Sequence, residues 1–187
     1  MFESITEWDI SVLYWMQENL RGIFDPVMKF LSLVGYGGAI WFVFIIIMAF
    51  MKKYKKGALL ATISISVTYL INDIIIKHIV MRPRPFNTSD ILIPLDTPSS
   101  YSFPSGHTAA GFAVALILIH FLPKAPGILF VILAALIAFS RLYLGAHFPT
   151  DVMCGFLVAV VTSQLLWYLF GRKWLEDKET VKEEATQ

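Results

Sequence analysis

Apolar residues along this chain gather into five long runs, 31–51, 57–80, 105–122, 127–144 and 149–170, separated by polar connections. Each run approaches the ~20 residues that a helix needs to cross a hydrocarbon core, so each predicts a membrane span. The first is interrupted by Gly35-Tyr-Gly-Gly38. Upstream, residues 3–20 mix acids with Ile5, Trp8, Ile10, Val12, Leu13, Trp15, Met16 and Leu20. That spacing predicts an amphipathic helix too polar to span, lying in the interface with its two tryptophans at headgroup depth. Asp25-Pro26 has the form of a helix start, with Asp as cap and Pro at the first helical position. The expectation is an all-α integral membrane bundle of about five to six transmembrane helices. It divides into an amphipathic interfacial segment 1–30, a membrane-embedded domain 31–171 and a polar tail 172–187. A sixth span would have to come from residues 3–30.

Composition sharpens this picture. Of 187 residues, 57% are hydrophobic and 16% charged, whereas a soluble domain carries about 25% charged residues. A net charge of +1 argues against a basic nucleic-acid binder. Cys154 is the single cysteine, inside an apolar run, so no intrachain disulfide forms. The N-terminus lacks a basic region leading into an apolar stretch, and no cleaved signal peptide is expected.

The basic connections set an orientation. Lys52, Lys53, Lys55 and Lys56 follow the first span, Lys124 follows the third, and Arg172 and Lys173 follow the fifth. Five alternating spans put all of these on one side, which the positive-inside rule makes cytoplasmic. The C-terminus is then inside, and the N-terminus, the loop 81–104 and the turn 145–148 are outside.

Polar residues converge on that outer side. Lys77 ends the second span, Arg84 opens the long loop, and Pro104-Ser105-Gly106-His107 starts the third span. Arg141 lies near the outer end of the fourth span, and His147 and Asp151 flank the start of the fifth. Each falls within about one helical turn, ~5 Å, of one membrane face. A cation at mid-bilayer costs about 2.5–3.5 kcal/mol, and three close together repel, so an anionic guest is the natural compensation. Asp73 can pair with Lys77 at i,i+4, yet the excess stays positive. Arginine forks and a lysine point charge suit phosphate. Ser105 and Gly106 at a helix start add backbone N–H groups and the positive end of the helix dipole.

The histidines point to a reaction. Asp151 is placed to accept the His147 Nδ1–H and leave Nε2 free to attack phosphorus. His107 is placed to protonate the leaving oxygen. Taken singly, several of these residues have plainer readings: Lys77 snorkelling to the interface, Arg82 and Arg84 touching headgroups, Asp151 as a first-turn acid. Either arginine of Arg82-Pro-Arg84-Pro fits as the ligand on position alone. His78 and His120 are isolated and read as packing or interface residues. A His/Asp metal site ranks below phosphate, because a divalent ion would be repelled by the same three cations. No metal and no cofactor is expected.

Together, Lys77-x6-Arg84-Pro85, Pro104-Ser-Gly-His107 and Ser140-Arg141-x5-His147-x3-Asp151 resemble the three-part signature of the type 2 phosphatidic acid phosphatase family, a superfamily shared with vanadium haloperoxidases and glucose-6-phosphatase. The resemblance implies a metal-independent membrane phosphatase working through a phosphohistidine. It makes His147 the nucleophile, Asp151 its orienting acid and His107 the proton donor, with Lys77, Arg84, Ser105, Gly106 and Arg141 on the phosphate. Family spacing favours Arg84 over Arg82. The short chain looks like small bacterial members acting on lipid phosphates, such as phosphatidate, phosphatidylglycerol phosphate or undecaprenyl pyrophosphate, in the cell membrane. Two alternatives stand beside this: glucose-6-phosphatase-like hydrolysis of a soluble phosphomonoester, and a non-catalytic phospholipid-binding or transport protein. A haloperoxidase would need vanadate and peroxide access, which nothing in the sequence requires. The sequence assigns no oligomeric state.

Overall fold

The computed structural model describes residues 2–174, and every regular element among them is helical. The helices are α1 (Phe2–Leu20), α2 (Asp25–Gly35), α3 (Ala39–Phe50), α4 (Lys55–Tyr69), α5 (Lys77–Val80), α6 (Gly106–Phe121), α7 (Lys124–Tyr143) and α8 (Pro149–Leu166). Four stretches are long and apolar enough to cross a membrane: Asp25–Phe50, Lys55–Asn87, Lys124–Tyr143 and Pro149–Trp174. A fifth apolar helix, Gly106–Phe121, is shorter, with 16 residues. The chain is thus an integral membrane protein built as a helical bundle. The expected tail beyond Trp174 lies outside the described residues.

α6 is the axis of the bundle. It packs against α4, α7 and α8, and Ala113, Val114, Ala115, Ile117 and Leu118 are all fully buried. A helix apolar all round fits such a place, since every face meets another helix rather than lipid. α3 packs on α4 and α2 on α7, while outward-facing residues such as Ile46, Leu129 and Val161 remain exposed for lipid. The chain turns at Met51–Tyr54 gather the basic residues at one end. There Lys56 lies 5.9 Å over the Trp174 ring, and Trp167 meets Phe121 edge-on.

Two irregularities shape the other half. The first span breaks at Tyr36–Gly38, where Gly37 (φ 58°) and Gly38 (φ 75°) adopt left-handed conformations that glycine reaches without a Cβ penalty. Its helix starts with Asp25 already in the first turn after Phe24, and the carboxylate accepts the Gly22 N–H at 2.9 Å. The cap is therefore one residue earlier than the sequence suggests. In the second span, Leu70–Ile76 widens to a π-helical segment, a feature frequent at functional sites.

α1 does not span. It lies across the ends of α7 and α8, burying Leu13 and Met16 against Phe148, Leu92, Tyr143 and Leu144, while Trp8 and Trp15 stay half exposed. It also clamps the long loop, with the Gln17 amide donating to the Ile91 carbonyl (3.2 Å) and accepting from the Ile93 N–H (2.8 Å).

Candidate active site

A cavity of about 750 Å³ opens between the break in the first span, the π-helical segment and the start of α6. Lys77, Arg84, Gly106, His107, Arg141 and His147 all line it. They come from five places along the chain, Gly106 and His107 being neighbours at the start of α6, and the fold brings all six to one cavity.

His147 occupies the turn between α7 and α8 and is 2% exposed. Its backbone N–H donates to the Arg141 carbonyl (3.3 Å), which ties the two side chains to one turn. On the cavity side, Nε2 faces Arg84 Nη1 at 3.2 Å. A guanidinium only donates, so Nε2 carries the lone pair and Nδ1 the proton. Nδ1 lies 3.4 Å from Asp151 Oδ2, an ion-pair distance with alignment too poor for a hydrogen bond. Burial pushes the His147 imidazole down to about 4; Asp151 opposes the fall, and Arg84 and Arg141 deepen it. The side chain is neutral at pH 7, as a nucleophile must be.

Asp151 lies behind His147 rather than in the cavity and is fully buried. Its Oδ2 accepts the Phe148 N–H at 2.9 Å, the acid's half of a capping box at the start of α8. Phenylalanine has no side-chain acceptor to complete the other half. The Ser102 hydroxyl donates to the same oxygen.

Arg84 is 3% exposed and donates to the carbonyls of Ser100 (2.7 Å), Ala146 (2.6 Å) and Tyr101 (3.2 Å) and to Ser100 Oγ (3.0 Å). It carries a charge with no carboxylate hydrogen-bonded to it. The other two cations have acid partners. Lys77 donates to Asp73 Oδ1 at 2.6 Å, the i,i+4 pair expected from the sequence, and Arg141 donates to Asp96 Oδ2 at 2.7 Å and to the Ser32 hydroxyl. Asp96 sits in the long loop and was missed, since loop placement leaves no periodic trace in a sequence.

Gly106 opens α6 against the cavity, and a Cβ there would come within 2.7 Å of Asp73 Oδ1. The first-turn N–H groups of α6 point outward unpaired by the helix. Ser105 is placed differently from its expected role. It is fully buried, does not line the cavity, and donates its N–H to the Asp151 carbonyl (3.0 Å), while its hydroxyl accepts from Thr108 (3.0 Å). It joins α6 to α8 instead of facing a ligand. His107 lines the cavity, with Nε2 3.2 Å from the Ser32 carbonyl.

The two arginines of the Arg82-Pro-Arg84-Pro turn part company. Arg84 enters the cavity; Arg82 passes behind it to Asp151 Oδ1 (2.8 Å) and Asp9 Oδ2 (2.7 Å). His78 contacts the Ile74 carbonyl of its own turn (3.0 Å), His120 stacks on Trp167 at 3.9 Å, and neither lines the cavity. No group of three or more metal-ligating side chains forms among the described residues.

Fold and site together define a membrane-embedded helical bundle with a cationic pocket built around a neutral histidine. The sequence model of the PAP2 superfamily matches residues 57–175, and the chain belongs to that superfamily. It is 32% identical over 151 residues to the undecaprenyl-diphosphatase of Sulfolobus acidocaldarius, covering 80% of this chain and 72% of the relative. Phosphatidylglycerophosphatase B of Bacillus subtilis is 30% identical over 159 residues, covering 79% and 71%. Among solved structures, the transmembrane PAP2 type phosphatidylglycerolphosphate phosphatase of Bacillus subtilis aligns with a TM-score of 0.75 at 26% identity, covering 90% of this chain and 87% of that one.

Proposed function

We propose that the chain hydrolyses a lipid phosphate or lipid diphosphate in this cavity through a phosphohistidine on His147. The phosphatase assignment rests on the superfamily and on relatives that are named as lipid phosphate and diphosphate phosphatases. The observation that carries the mechanism is the His147 Nε2 lone pair, buried and neutral, 3.2 Å from an arginine without a hydrogen-bonded carboxylate partner.

In the first step Nε2 attacks phosphorus in line. The N–P bond forms as the bond to the lipid oxygen breaks, and His107 gives that oxygen its proton. Arg84, Lys77 and Arg141 spread over the non-bridging oxygens and stabilise the charge that develops there. Positive charge growing on the imidazole is balanced by Asp151 behind it. In the second step His107 takes a proton from water, the oxygen attacks phosphorus, and the N–P bond breaks to release inorganic phosphate.

The lipid preference comes from the rest of the lining. Tyr36, Phe42, Ile65 and Tyr69 give the cavity an apolar side between the two irregular spans, next to its cationic floor. A headgroup on the cations with its chain against these residues fits a substrate arriving sideways from the bilayer. Phosphatidate, phosphatidylglycerol phosphate and undecaprenyl pyrophosphate are the candidate substrates. With the basic connections at the opposite end, the cavity opens on the extracytoplasmic face and the C-terminus is cytoplasmic.

Phosphate release measured over a panel of lipid and sugar phosphates, with His147→Ala as control, tests this. Lipids should turn over faster than soluble esters, His147→Ala should be inactive, and vanadate should still bind to it. Faster turnover of sugar phosphates would overturn the lipid reading, and an active His147→Ala would overturn the phosphohistidine.

A further inference from the structure

α1 carries a buried carboxylate that the reaction above does not use. Asp9 is fully buried on a helix otherwise lying at the rim of the bundle. Its Oδ1 accepts the Thr150 N–H at 3.0 Å, and its Oδ2 accepts the Thr150 hydroxyl at 2.5 Å and Arg82 Nη2 at 2.7 Å. Arg82 Nη1 donates in turn to Thr150 Oγ1 (2.7 Å) and Asp151 Oδ1 (2.8 Å), and the guanidinium lies 3.9 Å over the Phe148 ring. The Ser102 N–H donates to the Arg82 carbonyl at 2.9 Å, so the backbone of this turn also holds the hydroxyl that reaches Asp151.

We propose that Asp9 and Arg82 are positioning residues for the phosphatase reaction, so that the non-spanning α1 is a working part of the active site and not only its membrane anchor. The proposal rests on His147 and Asp151 acting as described above.

The geometry explains why both are needed. Asp151 Oδ2 is set by the Phe148 N–H and the Ser102 hydroxyl and faces His147. Oδ1 has Arg82 as its charged partner, and without it a buried oxygen would be left unsatisfied and the carboxylate held through Oδ2 alone. An arginine alone would draw the charge of Asp151 away from His147. Asp9 cancels that pull: Arg82 sits between two carboxylates, and the cluster behind His147 keeps a net negative charge where imidazolium character grows. A planar fork bridges two acids in a way that a point-charge lysine cannot. Thr150 ties the pair to the first turn of α8, which also bears Asp151.

The test uses the full chain in one detergent, with kcat and KM on the fastest lipid of the panel and vanadate affinity measured for each variant. Asp9→Asn and Arg82→Gln should each lower kcat by about 10- to 100-fold, the cost typical of losing an outer partner of a functional group. KM and vanadate affinity should hold within about threefold, because Lys77, Arg84 and Arg141 are untouched. Arg82→Lys should fail to restore kcat. Thr150→Val, a near-isosteric change, should show a smaller drop in kcat of the same kind and serves if Asp9→Asn does not fold. Unchanged kcat in Asp9→Asn or Thr150→Val would overturn the proposal. So would a parallel loss of vanadate affinity, which marks general collapse of the site, or full activity in Arg82→Lys. His147→Ala separates the levels: if it is inactive while Asp9→Asn is normal, only the positioning role falls; if it is active, the phosphohistidine reading falls first.

Discussion

The two sides of His147 are built on opposite principles. In front, the cations of the cavity hold partners that a ligand can displace: Lys77 on Asp73, Arg141 on Asp96, Arg84 on loop carbonyls. Behind, Asp151 is locked by Phe148, Ser102 and Arg82, and Arg82 by Asp9 and Thr150. The front must exchange partners whenever phosphate arrives and leaves. The back must not move at all, since any rotation of Asp151 is passed to the imidazole. Arg82 and Arg84 are separated by one proline, yet they fall on opposite sides of this divide.

The largest expected effect breaks the front. Arg84→Ala or Arg141→Ala removes a charge-assisted donor from the transferring phosphoryl group and should lower kcat/KM by about 10²- to 10³-fold. Vanadate affinity should fall in parallel, because these side chains hold the anion itself. If either variant lost kcat while vanadate bound normally, that arginine would belong with the positioning groups behind His147, and the division would be drawn in the wrong place.

Stability should be most sensitive where front and back are joined. Gly155 lets α8 approach the start of α6 so closely that an added Cβ would lie 2.6 Å from the Ser105 carbonyl oxygen. That neighbour is backbone and cannot swing aside. Gly155→Ala should therefore cost about 1–3 kcal/mol as an overpacked contact, read as a lower unfolding temperature in detergent. A variant as stable as the parent would mean that the two helix starts are looser than the Ser105–Asp151 hydrogen bond suggests.

Much of the front could be read from the chain, and little of the back. Regular apolar runs place helix ends, and helix ends place Lys77, Gly106, Arg141 and His147, so their meeting follows from counting spans. The Asp73–Lys77 pair follows from i,i+4 spacing. Ser105 could not be judged, because which way a cap residue faces depends on α8. Arg82 and Arg84 could not be separated by position, because the turn between α5 and α6 has no period to orient them; only family spacing chose between them. Asp9 did leave a signal: with Leu13, Met16 and Leu20 it falls on one stripe of the amphipathic helix, an acid on the buried face. Such a residue needs a cation, and Arg82 supplies it at 2.7 Å.

A smaller effect concerns the His147 proton. Burial holds the imidazole at about 4, so it stays neutral as pH falls through 6.5, where an unfolded chain takes up a proton. The native state is therefore disfavoured progressively between pH 6.5 and 4 and carries no such penalty above 6.5. Histidine NMR, with the signal assigned by its loss in His147→Ala, should show a midpoint near 4. Arg84→Ala should move it upward by removing the cation at 3.2 Å. A midpoint at or above 6.5 in the unliganded protein would mean that water reaches His147 freely and that front and back are not separated.

Smaller still is the competition offered by Asp96. Its side chain is 38% exposed and it pairs with Arg141, so it occupies a cation that phosphate needs. A half-solvated pair of this kind is worth about 0.2–1 kcal/mol. Asp96→Asn should then tighten vanadate binding by up to about fivefold, whereas weaker binding would make Asp96 a support of Arg141 instead of its competitor.

The last expected effect is none. Treatment with EDTA should leave the rate unchanged, because the groups around the reacting phosphorus repel a divalent ion. Nε2 of His147 already faces a guanidinium, its Nδ1 faces Asp151, and the two cavity carboxylates, Asp73 and Asp96, are each taken by a lysine or an arginine. A metal would have to displace a cation from one of these acids and then sit beside the remaining two. If EDTA abolished turnover and Mg²⁺ or Zn²⁺ restored it, the cations in front of His147 could not be the main stabilisers of the transferring phosphoryl group, and the exchange of partners assigned to that side would have to be reassigned to the ion.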